Sequence, residues 1–372
     1  MNQMLLMAHS YVPHSSVAPA PVAPAPALSS VPTLRDRWSV ALTGTVGGFA
    51  WSPSGRQLAV VTLDGKGVIL DGRHGQPVAS FVLPPGLSGG PACLAWSPTG
   101  ERVAVGDGEG HVQLLCVATG QCLSRYPLTE APITHLAWAP GGGWLAAASG
   151  ETAVLYNPAS DPTTSARTRV VPLAGPVHSL FWLPGTSRLV AAGDFGLHLL
   201  ALGESVSVRW LKHPPGTLLG AAPSPDGRLV AAGLGEGGVR LWNVETGEVR
   251  TLAGPAGPTR RIAWGASGTL LAAADDGTTI TIWSLFDHQV LADKPRRLRG
   301  YRGQVHGLEF LGAQLFSAGD DGVLRCWRQH PGGWRCTRSE HVGWPVQHLA
   351  LAPATRSVAA VGTEGRVWSW QR

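Results

Sequence analysis

Residues Gly220 to Gly247 read G-A-A-P-S-P-D-G-R-L-V-A-A-G-L-G-E-G-G-V-R-L-W-N-V-E-T-G. A short first strand ends at Ala222-Pro223. Ser224-Pro225-Asp226-Gly227 reads as a turn, because proline presets φ while Asp and Gly accept the remaining turn angles. Leu229-Val230-Ala231-Ala232 is a second strand, small and apolar. A glycine-rich turn carrying Glu236 leads to Val239-Arg240-Leu241-Trp242, which alternates with the period of a strand. Glu245-Thr246-Gly247 then turns into a fourth strand, Val249-Arg250-Thr251-Leu252.

The unit recurs along the chain. Anchored on the last residue of the first strand, its copies fall at Trp51, Trp96, Trp138, Trp182, Pro223, Trp264, Phe310 and Leu351. A period in the forties marks a repeat architecture of four-stranded units. A second column holds acids in the turn between strands two and three: Asp64, Glu109, Glu151, Glu236 and Glu364, with Asp276 and Asp321 slightly earlier. Phe195 breaks this column, with Asp194 beside it. A third column closes strand three with Leu70, Leu115, Tyr156, Leu200, Trp242, Trp283, Trp327 and Trp370.

These columns resemble the WD-repeat β-propellers over about residues 34–372. In that family Gly-His precedes strand one, an Asp fills the turn between strands two and three, and Trp-Asp ends strand three. Here the strand-three Trp is followed by Asn243, Ser284, Arg328 and Gln371, and only Leu70-Asp71 keeps the acid. The His column holds Tyr301 and His341. The resemblance implies that Glu364 and His341 keep part of the family's buried Asp–His–Ser–Trp network in the last blade. It also implies an all-β, eight-bladed propeller of four-stranded antiparallel blades, with seven blades as the commoner alternative. The chain ends on strand three of the last unit, Val367-Trp368-Ser369-Trp370, and the missing strand is expected from Arg37-Trp38-Ser39-Val40-Ala41-Leu42. That segment would close the ring and remove an open sheet edge.

Residues 1–33 differ in kind. Val17 to Pro26 is a Pro/Ala tract that cannot bury a core, and the segment reads as a disordered tail. Met4-Leu5-Leu6-Met7-Ala8 is too short for a signal-peptide core, and no apolar run is long enough to span a bilayer. A cytoplasmic location is expected, with export behind a mis-assigned start codon as the alternative. The net charge is +5, from 29 cations and 24 anions. Five of the cations fall within Lys294 to Arg302, so the rest of the chain is balanced and nucleic-acid binding is not indicated. The run itself reads as a charged edge strand, or else as a patch for phosphate, acidic peptide or nucleic acid.

Of the five cysteines, Cys116 and Cys122 flank one hairpin turn symmetrically, and Cys326 and Cys336 another. Each pair could face across strands three and four within disulfide reach, or remain as reduced small hydrophobes. Their spacings match no zinc site. Four His open strand one of their units: His135, His178, His306 and His348. They sit at two different offsets from their anchors, which places them on different faces and argues for separate hydrogen-bonded imidazoles over a metal-binding ring. The recurring acids read as turn residues that bond backbone N–H groups, not as catalysts. Gly86-Leu87-Ser88-Gly89-Gly90 matches a nucleophile motif by letters but lacks the strand-to-helix elbow that motif needs.

No cofactor and no metal site is expected. The reading that results is a non-catalytic, monomeric scaffold that binds a protein or peptide on its loop face. The patch expected to do so is Arg299, Tyr301 and Arg302 before unit seven with His341 and Trp344 before unit eight, since Trp, Tyr and Arg are enriched at binding hot spots. The alternatives are a hydrolytic or quinone-dependent propeller enzyme with its site at the channel mouth, or phosphate or nucleic-acid binding through residues 294–302.

Overall fold

The computed structural model describes residues 36–83, 93–158, 168–203, 205–211, 216–286, 289–290, 295–362 and 365–371. The tail of residues 1–33, Gly86 to Gly90, Glu204, Lys294, Glu364 and most of the loop from Asn157 to Arg167 lie outside them. Among the described residues the chain forms eight antiparallel sheets arranged as the blades of a propeller. Blade one begins with the inner strand Val46–Trp51 and blade two with Cys93–Trp96. The others begin with His135–Trp138, Val177–Trp182, Leu218–Pro223, Thr259–Trp264, Val305–Leu311 and Val346–Ala352. Each inner strand touches those of both neighbours, and blade eight meets blade one, so the ring is closed.

Local chemistry makes the blades. The Ser-Pro-x-Gly turns fold as their residues dictate: Ser52, Ser97 and Ser224 accept, at Oγ, the N–H groups of Gln57 (3.1 Å), Arg102 (3.1 Å) and Leu229 (2.9 Å). Gly227 closes its turn at φ 69°, a conformation that a side chain would strain. The second strands are rich in Ala and Val and wholly buried, as in Val230, Ala231 and Ala232. These small residues let neighbouring blades approach closely. A Cβ at Gly233 would overlap the Thr259 carbonyl of the next blade.

Between adjacent blades lies an apolar cluster, and the described residues form one for each of the eight contacts. Trp38, Trp51, Leu58 and Val60 meet Ala359, Val361 and Val367 where the ring closes. Closure itself is antiparallel pairing of Asp36–Ala41 with Arg366–Gln371, in the register Val40 opposite Val367. The Trp38 indole also donates to the Gly72 carbonyl of blade one at 3.1 Å, so the closing strand is fixed on two sides.

The anchor column has a role that apolar packing alone does not describe. Each anchor indole donates to the carbonyl just before the anchor of the preceding blade. Trp96 bonds Ala50 (2.8 Å), Trp138 bonds Ala95 (3.2 Å) and Trp182 bonds Ala137 (3.0 Å). Trp264 bonds Ala222 (3.1 Å), and Trp51 reaches back over the closure to Ala350 (3.2 Å). Pro223 has no donor, and there the Ser179 hydroxyl of blade four accepts the Ala221 N–H at 2.9 Å instead.

Three expectations need correction. The family network survives not in the last blade but in blade seven, with Tyr301 in place of His. Tyr301 Oη lies 2.6 Å from Ser317 Oγ, which also accepts from Trp327 Nε1 at 2.9 Å. In the last blade His341 is exposed and Trp370 Nε1 has no hydrogen-bond partner among the described residues. Ala360 stands where Ser317 does in blade seven, so the hydroxyl that would link the two is missing. In blade two the turn acid is Asp107, which accepts the N–H groups of Glu109 and His111 (both 2.9 Å), whereas Glu109 points to solvent near Arg125. The cysteines are free, and a register shift in each hairpin puts Cys122 opposite Leu115 and Cys336 opposite Trp327, not opposite Cys116 and Cys326.

Replacing Trp182 with Phe keeps most of the apolar volume but removes the indole donor and leaves the Ala137 carbonyl unsatisfied. Urea denaturation should show a loss of about 1–2 kcal/mol. An unchanged midpoint would mean that the inter-blade bonds contribute nothing.

Candidate functional site

Six inner strands begin with a register shift, at Val46/Gly48, Val177/Ser179, Leu218/Gly220, Thr259/Arg261, Val305/Gly307 and Val346/His348. A bulge leaves one residue out of the ladder and re-aims its side chain. Here the extra residue is His178 in blade four, Arg260 in blade six and His306 in blade seven. The first paired residue after it is Ser179, Arg261 and His348 in blades four, six and eight. His135 occupies the same register in blade three, opposite Ala148.

The two sequence offsets of the four histidines are therefore two adjacent rings of one channel mouth. His135, His178, His306 and His348 all line a single cavity of about 360 Å³, together with Arg260, Arg261 and Glu309. This overturns the expectation that they lie on different faces, because the bulge adds one residue without changing the side it presents. Among the described residues no group of three or more His, Cys, Asp or Glu is placed to hold a metal ion.

The cavity's electrostatics follow from enclosure. His306 Nε2 lies 2.7 Å from Asp320 Oδ1, and His178 Nε2 lies 3.5 Å from Asp194 Oδ1. Arg260 Nε donates to both Asp276 carboxylate oxygens at 3.1 Å. His348 opens onto the channel, yet the blades crowded around it hold it down to about 4, and the nearby charges of Arg261 and His306 push the same way. Burial likewise lowers His135. The Glu309 side chain opens onto the channel, yet blades surround it, and this burial pushes its carboxyl up to about 7 against the pull of Arg261.

On the rim, blade seven's turn at Asp320-Asp321 joins the two links expected to bind. Asp321 Oδ2 accepts the Arg302 N–H at 3.3 Å, and the Gly322 carbonyl accepts the Val342 N–H at 2.8 Å. Arg299, Arg302 and His341 are exposed. Trp344 is half-buried, 6.2 Å from the Trp368 ring, with the Arg366 guanidinium stacked 3.4 Å from its centroid. Tyr301 is different. It is only 6% exposed, held by Ser317 and covered by Arg325 at 4.6 Å, so its ring is part of the blade and not of the surface. The basic run forms the outer strand Arg296–Leu298, paired with Ile280–Ile282 of blade six.

Comparison with known proteins agrees with this architecture. The family described as "Anaphase-promoting complex subunit 4 WD40 domain" matches residues 87–141, and that described as "WD domain, G-beta repeat" matches residues 205–243. The "Periodic tryptophan protein 2 homolog" of Schizosaccharomyces pombe is 30% identical over 116 residues, which is 30% of this chain but 13% of that protein. The β-propeller domain of Cps50 (Swd1) from Myceliophteria thermophila superposes with a TM-score of 0.59 at 17% identity, covering 75% of this chain and 96% of that one. At that identity the likeness concerns the fold alone.

Glu309 gives the site a pH signature. Its ordinary value is 4.5 and its folded value is about 7, so the folded state keeps a proton that the unfolded chain releases between those values. Stability therefore falls as pH rises through that window and stays lower above it. Glu309→Gln should raise the melting temperature near pH 8 and leave it unchanged near pH 4. An equal effect at both pH values would assign the gain to packing.

Proposed function

We propose that this propeller, two segments of which match WD-repeat family models, is a non-catalytic scaffold that docks a protein or peptide on the face that carries its inter-blade links. The supporting observation is the rim between blades seven and eight. Two links are fastened to the same turn, so Arg299, Arg302 and His341 are exposed from a braced backbone beside the half-buried Trp344. A braced surface loses little freedom on binding, which favours affinity. The cations and the aromatic edge suit a partner segment that carries carboxylates next to an apolar side chain. Tyr301 contributes by holding the link from beneath. In this reading the protein acts as a monomer without a cofactor, and residues 1–33 are a tail outside the propeller.

The test is recovery of partners from the native host, identified by mass spectrometry. Arg299→Glu combined with Arg302→Glu should abolish recovery of a partner seen with the wild type, with no change in melting temperature, since both side chains are exposed. Tyr301→Phe should lower stability by about 1 kcal/mol through the lost Ser317 bond, yet leave recovery intact. A partner retained by the double charge reversal would remove this rim from consideration.

A further inference from the structure

One cation at the channel mouth is not matched by the fold. Arg260 is bound to Asp276, and His306 and His178 each face an acid of their own blade. The Arg261 guanidinium has neither an ion pair nor a hydrogen bond among the described residues. The acids that act on it through space are Asp276, already engaged by Arg260, and Glu309. The residues equivalent to Arg261 in the flanking blades are Gly220 and Gly307, opposite Gly233 and Ala318 as Arg261 is opposite Ala274. Neither of those two positions carries a side chain of its own, and Arg261 lines the cavity of about 360 Å³.

We propose that the channel mouth binds a small oxyanion, a sulfate- or phosphate-sized group, with the Arg261 guanidinium as the forked donor and the His348 imidazole beside it. A guanidinium matches two oxygens of such a group with two parallel hydrogen bonds, and enclosure strengthens the contact relative to water. The site shares no residue with the docking rim and stands independently of it.

Glu309 sets the site's response to pH, because its ionised carboxylate shares the cavity with Arg261 and repels a second anion there. The titratable and charged groups that share the cavity with it are Arg260 and Arg261 of blade six, His306 of its own strand and His348 of blade eight, with His135 and His178 on the opposite wall. His348, held to about 4, stays neutral near neutral pH. Glu309, at about 7, takes up a proton there and loses the charge that opposes an anion in the cavity. Anion binding is thus coupled to protonation of one carboxylate.

Sulfate is the probe, since its charge is constant across the range. Isothermal titration of the full chain at fixed ionic strength, with chloride as the background anion, should show affinity rising about tenfold from about pH 8 to about pH 6, the linkage expected for one carboxyl titrating near 7. Glu309→Gln should bind at pH 8 as tightly as the wild type does at pH 6, with the pH dependence gone. Arg261→Gln should abolish binding. If that variant does not fold, Arg261→Lys decides the matter, because it keeps the charge but loses the fork and should bind several-fold more weakly. No sulfate binding at pH 6, wild-type affinity in either Arg261 variant, or a persistent pH dependence in Glu309→Gln would overturn the proposal.

Discussion

A four-stranded blade has two apolar faces, and neither can be left in water. Every face in this molecule is covered by the next blade, so the arrangement is stable only if it returns to its start. The last blade takes its outer strand from the front of the propeller, where Asp36–Ala41 pairs with Arg366–Gln371. Without it the buried Val367, Trp368 and Trp370 would border an open sheet edge. The indole bonds add direction to this packing. Each runs from one blade to the backbone of its predecessor, and Trp51 carries the series across the closure to Ala350. Apolar contact alone would tolerate sliding between blades, whereas a directional bond at the five inner strands that carry an anchor Trp fixes their register.

The same closure creates the channel. Inner strands converge there, and the register shifts at their starts release residues from the ladder into the enclosed space. Polar side chains in such a space are far from bulk water but not fully paired, which is why Glu309 rises to about 7 and His348 falls to about 4. The outer rim is governed by the opposite balance. Its charges are exposed, screened and backed by a fastened backbone. The molecule therefore offers two surfaces of different chemistry, an exposed and charged rim and an enclosed channel mouth lined by His, Arg and Glu309.

Much of the fold was legible because its signals are local. Turn residues and strand alternation act within a few positions, so the anchors at Trp51 through Leu351 and the closing segment at Trp38 could be read directly. What was missed depends on contacts between blades or on single-residue shifts. Trp182 looks like packing until Ala137 of the neighbouring blade is in view. Tyr301 and Trp344 look alike as aromatic link residues, but only the structure shows Ser317 beneath the first and Arg366 above the second. The symmetric cysteine spacings suggested facing pairs, and a register shift in each hairpin undid the symmetry. The two offsets of the histidines suggested two faces, and the bulges at the strand starts bring them onto one channel mouth instead.

The central claim is that the leading strand closes the ring on the last blade. It is tested most directly by replacing both Val40 and Val367, which are paired across the closure, with Cys. On mild oxidation of the folded protein, mass mapping should find these two positions linked, and the urea midpoint should rise above that of the reduced form. If the two thiols remain unlinked under conditions where the protein stays folded, the ring is not closed by this strand.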